Sequence, residues 1–286
     1  MISRNILPAL AAIIFLLGAD AQAGDSIPDR VPSKPLWELG VAAGCLYSPD
    51  YPAADHNSLH VLGLPYVVYR GKLLRLGKDG IAKGVFIDND LMEFNVSLAA
   101  AFNTNSGDNN ARRGMPDLDY LAEIGPQLKL KLGKVGGGET ELHLPVRAVF
   151  STDFGRIDHR GYHFNPKITH WRRNVFNSGI DLDCSIGSSF ATKKLQKYFY
   201  QVEPRYATAT RPAYEADGGY LGSALKVGLS YGITEWIRAY VGGQAGYYAG
   251  AANEDSPLFR HKVDASVYGG FIWSIFQSDT RVASRW

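Results

Sequence analysis

The stretch 117-DLDYLAEIGPQLKLKLG-133 decides the fold. Every second residue is mostly apolar: Leu118, Tyr120, Ala122, Ile124, Pro126, Leu128, Leu130 and Leu132. The residues between them are mostly polar: Asp119, Leu121, Glu123, Gly125, Gln127, Lys129 and Lys131. Successive side chains of a strand point to opposite faces, so this pattern predicts one long strand with an apolar and a polar face. A helix would scatter the charges around its circumference, and Gly125-Pro126 would break it.

The same alternation runs through the chain and predicts about twelve strands, with 10–14 as the range. The predicted segments are 37–47, 59–69, 72–87, 91–103, 117–133, 141–151, 162–169, 175–191, 198–206, 221–231, 237–247 and 263–276. Residues 77–80 interrupt the third segment, which is either one bulged strand or two short strands. No helical segment is predicted between them. Consecutive strands joined by turns form an antiparallel meander that closes most simply into one barrel.

The length of the strands suits a membrane, because a tilted strand needs roughly 9–11 residues to cross a bilayer. A long strand of a soluble barrel or sandwich is the alternative that length alone leaves open. Aliphatic residues at mid-strand with Trp or Tyr near many strand ends are typical of the lipid-facing band and aromatic girdles of outer-membrane barrels. The sequence therefore predicts an all-β chain, a single antiparallel up-and-down transmembrane β-barrel, in contact with outer-membrane lipid.

Targeting and composition agree with export. Residues 1–23 have one positive charge, an apolar run and a final Ala21-Gln22-Ala23, the pattern of a cleaved signal peptide. The predicted division is then a flexible leader at 24–35, the barrel at 36–276 and a tail at 277–286. Glycine (31) and tyrosine (16) are frequent and cysteine is scarce (2), as in a turn-rich β protein without a disulfide framework. The scattered charges sum to +2 and do not indicate nucleic-acid binding.

Loop and turn motifs add a resemblance. They are 48-SPDYP-52, 64-LPYVVYRG-71, 114-GMPDLD-119 with Gly125-Pro126, 198-YFY-200, 211-RPAYEA-216 with Gly219-Tyr220, and 255-DSPL-258. Jointly they resemble the MipA/OmpV family, in family order, across nearly the whole mature chain.

The resemblance implies an outer-membrane barrel that acts as a scaffold between a murein lytic transglycosylase and a murein polymerase. Porin-like roles are also discussed for the family. Family chains tend to stop at an aromatic residue that ends the last strand. Here Phe276 fits that position, yet the chain continues to Trp286.

The polar face supplies candidate lumen charges. They are Glu123, Lys129, Lys131, Arg147, Asp181, Asp183, Glu203, Arg205, Lys226 and Arg238. The carboxylates could serve acid–base chemistry. Ion pairs across the lumen or a wet, weakly selective channel explain both signs of charge more simply.

Two enzyme-like or metal-like patterns are weak. His159 and His163 have a metal-like spacing on a helix, but Gly161 and the strand pattern argue against a helix there. A lipid or ester hydrolase would need a Ser–His pair, and His143, Ser151 and Ser178 are available without any bracketing motif. We therefore predict no catalytic residues, metal or cofactor, and treat a passive channel as the main alternative to the scaffold.

Two further expectations concern accessibility. Cys45 and Cys184 fall on apolar faces of strands far apart in the chain, so we predict two reduced, lipid-facing thiols. If segment 72–87 is one strand, loop 106–116 with Arg112 and Arg113 is periplasmic and faces a partner; if it is two, every later loop changes sides.

Overall fold

The computed structural model describes residues 33–71, 74–77 and 80–283, and most of them lie in strands. The strands are β1 (Ser33–Pro35), β2 (Trp37–Pro49), β3 (Asn57–Arg70), β4 (Leu74–Gly77), β5 (Gly80–Asp88), β6 (Met92–Ala101), β7 (Tyr120–Val135), β8 (Gly138–Thr152), β9 (Ile157–Phe164), β10 (Lys167–Val175), β11 (Ile180–Ala191), β12 (Gly219–Gly232), β13 (Ile237–Tyr247), β14 (Val263–Gln277) and β15 (Arg281–Ala283). One α-helix, α1 (Lys193–Tyr200), and a 3-10 helix, Pro204–Tyr206, follow β11. The predicted signal peptide lies outside the described residues.

The sheet is antiparallel and returns to its starting point. Consecutive strands from β2 to β9 pair in order, and so do those from β10 to β14. β14 pairs with β2, for example Trp273 opposite Val41. β9 and β10 act as one strand interrupted at residues 165–166, because β8 pairs with both on one side and β11 pairs with both on the other. Counted in this way, twelve strands form the predicted barrel.

Burial along the strands is the reverse of that in a soluble protein. In β6, Glu93, Asn95 and Ser97 are buried, whereas the apolar residues between them are partly exposed. Apolar side chains on the outer face are far more exposed, such as Val61 at 76% and Val241 at 57%. An outer apolar band of this kind is what lipid covers in a membrane barrel.

Aromatic residues mark both edges of the apolar band. At the end where β2 begins, the exposed aromatics include Trp37, Tyr69, Phe176, Tyr231, Trp236, Trp273 and Phe276. At the opposite end they include Tyr47, Tyr120, Phe154 and Tyr247. These two groups correspond to the girdles that the sequence predicts.

The structure decides one predicted segment and corrects another. Segment 72–87 is two strands, β4 and β5, the second of the two alternatives that the sequence left open. Segment 198–206 is not a strand: it contains the end of α1 and the 3-10 helix. The apparent alternation of Tyr198, Tyr200 and Val202 is misleading, because α1 begins at Lys193 and buries Leu195, Gln196, Phe199 and Tyr200 at helical spacing. Among the described residues, no helix is long and apolar enough to cross a membrane.

The closure between β14 and β2 depends on close approach of their backbones. A Cβ on Gly270 would meet the carbonyl oxygen of Ala43 and would lie 2.7 Å from the Cα of Gly44. A Cβ on Gly63, in the neighbouring β3, would meet nothing within 4 Å.

We therefore expect Gly270→Ala to lower the free energy of unfolding of the barrel by about 1–3 kcal/mol, the usual effect of overpacking. Gly63→Ala is the matched control and should leave it unchanged within about 0.5 kcal/mol. Urea unfolding in detergent micelles, followed by tryptophan fluorescence, measures both. Equal stability of the two variants would contradict the close packing of this seam.

Candidate functional site

The inner surface of the barrel has two unlike halves. Side chains of β6–β9 form one half, here called the polar wall, where charged and amide groups are buried. β2 and β11–β14 form the other half, here called the glycine wall, whose inward positions are mostly small. The small inward residues include Gly40, Ala42, Gly44, Gly187, Gly222, Ala224, Gly228, Gly242, Gly246 and Gly270. Large side chains therefore fill the lumen along the polar wall, and open space remains along the glycine wall.

A charged cluster sits at the centre of the polar wall. Arg147 Nε donates to Glu123 Oε2 at 2.7 Å, and its Nη1 donates to Ser97 Oγ at 3.1 Å. His163 Nδ1 lies 3.1 Å from the same carboxylate oxygen. Glu123 thus contacts two basic side chains from neighbouring strands, which offsets the cost of burying its charge.

The remaining predicted charges of this half lie nearer the barrel end formed by short turns. Lys129 is buried, with its Nζ 3.9 Å from Glu93 Oε1. Lys131 lies at the rim and donates to Asp88 Oδ1 at 2.7 Å. His143, on β8, contacts Glu141 Oε2 at 2.8 Å and Thr169 Oγ1 at 3.1 Å.

A cavity of about 600 Å³ lies along the glycine wall, toward the short-turn end. Asp181 and Arg238 line it and form an ion pair at 3.1 Å, and Asp183 is also on its surface. Lys226 lies just beyond, with its ammonium group 5.0 Å from the centre of the Tyr268 ring. The structure therefore places these four predicted residues inside the barrel, opposite the Glu123 cluster.

At the opposite end, four segments fold together into what we call the cap: residues 50–56, 102–119, 192–218 and 248–262. Its core is apolar and fully packed, and Tyr200, Leu258 and Val202 have at most 1% of their surface exposed. Inward side chains near the strand ends join this core, including Leu121, Val149, Ala191 and Leu221. Since the cap packs on inward-facing residues, it fills this mouth of the barrel rather than standing beside it.

Polar contacts lock the segments of the cap together. Tyr51 Oη donates to the Leu258 carbonyl at 2.9 Å, and Tyr200 Oη donates to the Pro52 carbonyl at 2.8 Å. Asn253 is a hub: its amide nitrogen donates to Gln196 Oε1 and to the Asp217 carbonyl, and its amide oxygen accepts from the Asp217 N–H. One side chain thereby joins three stretches of chain.

Three predicted site residues belong to the cap rather than to the lumen or a partner surface. Arg112 is 3% exposed and donates to the Phe199 and Pro116 carbonyls, so it is a structural residue and not partner-facing. Glu203 and Arg205 are exposed and pair with each other at 2.7 Å at the 3-10 helix, so they are not lumen charges. Arg113 is exposed. Because β4 and β5 are separate strands, loop 106–116 lies at the cap end, opposite β1 and β15, which is the second of the two alternatives that the sequence left open.

The residues considered as candidates for a hydrolase or a metal site do not lie together in the structure. His143 and Ser151 are eight residues apart on β8, roughly 26 Å at the rise of a strand, and Ser178 lies in the turn before β11. A bulge at Arg160-Gly161 turns His159 outward against Phe150, whereas His163 points inward to Glu123. No group of three metal-type ligands occurs among the described residues.

Cys45 on β2 and Cys184 on β11 are free and separated by three intervening strands.

A family comparison matches this architecture. The model of the family described as "MltA-interacting protein MipA" matches residues 41–275, which include nearly the whole barrel and its cap. The chain belongs to the MipA family. It is an outer-membrane β-barrel protein.

Solved outer-membrane proteins are similar at low identity. The NanC porin is 12% identical, with a TM-score of 0.38 over 83% of this chain and 100% of the porin. The COG4313 outer membrane channel from Pseudomonas putida F1 is 11% identical, with a TM-score of 0.41 over 87% of this chain and 99% of the channel. A bacterial polysaccharide outer membrane secretin is 8% identical, with a TM-score of 0.41 over 85% of this chain and 99% of the secretin. None of the curated proteins matches the sequence.

The sequence reasoning missed the cap of this MipA-family chain. The signal was present in part: 193-KKLQKYFY-200 places Leu195, Gln196, Phe199 and Tyr200 on one helical face. No local pattern indicates Asn253 as a hub, because its partners are 36 and 57 residues away.

We expect Asn253→Ala to loosen the cap while the barrel stays folded. The change leaves buried partners unsatisfied, which costs about 1–3 kcal/mol. Limited proteolysis of purified protein should then cleave the cap segments faster by about fivefold or more, the rate ratio of roughly 1 kcal/mol. Asn110→Ala, at an exposed position of the same cap, is the control and should digest at the wild-type rate. Unchanged proteolysis of Asn253→Ala would contradict its role as a hub.

Alkaline pH should also release the cap. Burial raises the pKa of the Tyr51 phenol, and burial raises that of Tyr200, above the ordinary value of about 10. A raised pKa means that the folded cap holds these protons more tightly than the unfolded chain, so its stability is fully present below pH 10 and falls above it.

Between pH 10 and 12, we expect the cap to become protease-sensitive. In the Tyr200→Phe variant, protection of the cap against protease should fall less steeply as pH rises. Below pH 10 this cap should already be less stable than the wild-type cap by about 1 kcal/mol, because one hydrogen bond is lost. Tyr47→Phe, at a lipid-facing position, should follow the wild-type curve. A Tyr200→Phe curve as steep as that of the wild type would show that this phenol does not control the transition.

Proposed function

We propose that this protein is a non-enzymatic scaffold of the outer membrane that brings together a murein lytic transglycosylase and a murein polymerase. The observation that carries the proposal is the cap: an apolar, hydrogen-bonded plug in one mouth of the barrel. A barrel filled in this way is poorly suited to free passage of solutes. The family name, which refers to interaction with MltA, supplies the class of partner.

The two ends of the barrel differ in a way that supports a periplasmic partner surface. Long connections form the cap end, whereas short turns at 136–137, 176–179 and 233–236 lie at the other end. Outer-membrane barrels have long extracellular loops and short periplasmic turns. In the proposal the cap is therefore extracellular, and the short-turn end faces the murein layer.

Both ends of the described chain meet at the short-turn end. β1 and β15 pair there as a two-stranded clasp separate from the barrel sheet, with Lys34 opposite Val282. Arg70 ties this clasp to the barrel, because its side chain donates to the Pro35 carbonyl at 2.7 Å and pairs with Glu38 at 2.6 Å. Residues 281–283 of the predicted tail thus pair with residues 33–35 of the predicted leader, and we propose the clasp and the adjacent turns as the partner surface.

Epitope insertions test the sidedness and the partner surface together. An epitope after Gly136 lies in a short turn, and one after Asn110 lies in the cap. We expect a protease added to intact cells to remove only the epitope after Asn110, and an insertion after Gly136 to reduce co-purification of murein enzymes from solubilised envelopes. Removal of only the Gly136 epitope would reverse the orientation. Absence of murein enzymes from the wild-type pull-down would reject the scaffold.

A passive channel is the second candidate, because the lumen holds the 600 Å³ cavity beside the glycine wall. Planar-bilayer conductance separates it from the scaffold. The scaffold predicts little conductance for the wild-type protein and a marked increase after replacement of residues 193–216 by a short Gly-Ser linker. A large steady conductance of the wild type would favour the channel.

A further inference from the structure

A second cavity, of about 580 Å³, lies at the cap end of the barrel. Its walls come from the loop before β7, from α1 with the 3-10 helix, and from the hairpin of β8 and β9. Nine charged side chains line it, six basic and three acidic. The basic residues are Arg112, Arg156, Arg160, Lys194, Lys197 and Arg205. The lining is therefore basic, whereas the whole chain is nearly balanced, with 30 basic and 28 acidic residues.

Arg112 brings a buried charge that no carboxylate contacts in the part of the chain that the structure describes. It is 3% exposed, and its guanidinium donates to Ser106 Oγ at 3.2 Å and to the Phe199 and Pro116 carbonyls at 3.1 Å each. All three acceptors are neutral. Burial of a cation without a counter-charge costs free energy. An anion in the cavity would lower that cost, because Arg112 lies on the cavity surface.

Lys194 adds a second cation of this kind. It is exposed in the first turn of α1, and among the described residues its ammonium group contacts no carboxylate. The preceding residue, Lys193, does not line the cavity and pairs with Glu215 at 3.1 Å and with Asp217 at 2.8 Å. The helix thus directs one lysine to carboxylates of the cap and the next lysine to the cavity.

The hairpin wall carries two arginines that share their carboxylates. Arg156 Nε lies 3.0 Å from Asp158 Oδ2, and Arg160 Nη2 lies 3.2 Å from the same oxygen and 3.9 Å from Asp119 Oδ2. The Arg160 guanidinium also stacks on the Tyr198 ring, 4.5 Å from its centre. This wall is close to neutral, so the excess positive charge of the cavity lies with Arg112 and Lys194.

The helix wall has exposed ion pairs. Lys197 Nζ lies 3.3 Å from Glu215 Oε1, and Arg205 Nε lies 2.7 Å from Glu203 Oε2. The two basic side chains are 40% and 69% exposed. Exposed ion pairs contribute at most about 1 kcal/mol, so these cations are able to turn to a ligand of higher charge density.

A phosphate group suits this cavity better than other anions. Its oxygens point in several directions, so it is able to accept hydrogen bonds from cations on two walls at once, and Arg and Lys are its usual partners in proteins. A planar carboxylate is matched by a single guanidinium. The cavity volume lies within the roughly 300–1,000 Å³ usual for small-ligand sites, which leaves room for the rest of a phosphorylated molecule.

We propose that this cavity binds a phosphorylated ligand, whose phosphate oxygens lie between Lys194 and the arginines and supply the counter-charge that Arg112 lacks. The ligand has two sources with the same chemistry, the phosphorylated headgroup of a lipid in the outer leaflet or a free phosphate compound. The inference is independent of the scaffold, which uses the opposite end of the barrel.

Isothermal titration calorimetry of the purified full chain in nonionic detergent tests the proposal, with inorganic pyrophosphate as the probe. We expect saturable binding that weakens at high salt, because salt screens the interaction between charges. Lys194→Gln should weaken binding by about tenfold or more, equivalent to about 1.4 kcal/mol, and Lys194→Arg should bind within about threefold of the wild type.

Lys262→Gln is the matched control. It removes the same charge from the cap, but Lys262 pairs with Glu254 and does not line the cavity. Its affinity for pyrophosphate should stay within about twofold of the wild-type value. Urea unfolding curves confirm that each variant is folded, and Lys194 is exposed, so its replacement leaves the packing of the cap unchanged.

Competition identifies the source of the phosphate. Lipid A with its phosphate groups, and lipid A from which they have been removed, are each added to protein saturated with pyrophosphate. Displacement by the phosphorylated form alone assigns the site to a lipid headgroup, and displacement by neither form assigns it to a free phosphate compound.

Three results would overturn the proposal: no saturable binding of pyrophosphate to the wild type, equal affinities of the Lys194→Gln and Lys262→Gln variants, or displacement by the lipid without phosphate. Co-purification of murein enzymes is measured separately, so failure of the phosphate site and failure of the scaffold give different outcomes.

Discussion

The rest of the structure depends on backbone hydrogen bonds that the protein has to form within itself, because lipid cannot form them. Inside a bilayer every N–H and C=O group needs a partner in the protein, so a sheet that crosses it has to close. Closure here depends on two junctions, the pairing of β14 with β2 and the shared pairing of β9 and β10 with β8 and β11. The inverted burial follows directly, because lipid takes the place of an apolar core and polar side chains are left for the inside.

Moving the apolar residues outward leaves the barrel without an ordinary core, and the cap supplies one at a single end. Its largest fully buried residue, Tyr200, belongs to a helix of only eight residues. A helix this short has little stability of its own, so it persists because its apolar face packs on other segments. The cap is therefore a tertiary structure in the strict sense: Asn253, Tyr51 and Arg112 each join stretches of chain that are distant in sequence.

Side-chain size divides the lumen into a filled half and a half with open space. Buried charges of the polar wall occupy one half and satisfy one another, as Glu123 does with Arg147 and His163. The glycine wall leaves space in the other half and lets tyrosines lie against the sheet. A filled mouth, a filled half and a cavity beside the glycine wall leave the open space of the lumen toward the short-turn end, where β1 and β15 also lie.

The local sequence pattern was enough to determine the barrel. The strand period of two places Glu123, Lys129 and Arg147 on the face opposite Ile124 and Leu128, and it does so independently of the rest of the chain. It was also enough to separate Cys45 from Cys184. It indicated twelve strands, and the count agrees with the structure because the division of segment 72–87 into two strands offsets the loss of segment 198–206. It could not determine which inward charges meet, since pairing depends on register, and the bulge at Arg160-Gly161 alone decides that His163 joins Glu123 while His159 does not. Nor could it determine the side of any loop after residue 77, because the division of this segment into two strands, β4 and β5, reverses them all. The cap lay furthest from sequence reasoning: Arg112 in a polar loop has the composition of a solvated surface, and only contacts with segments far along the chain bury it.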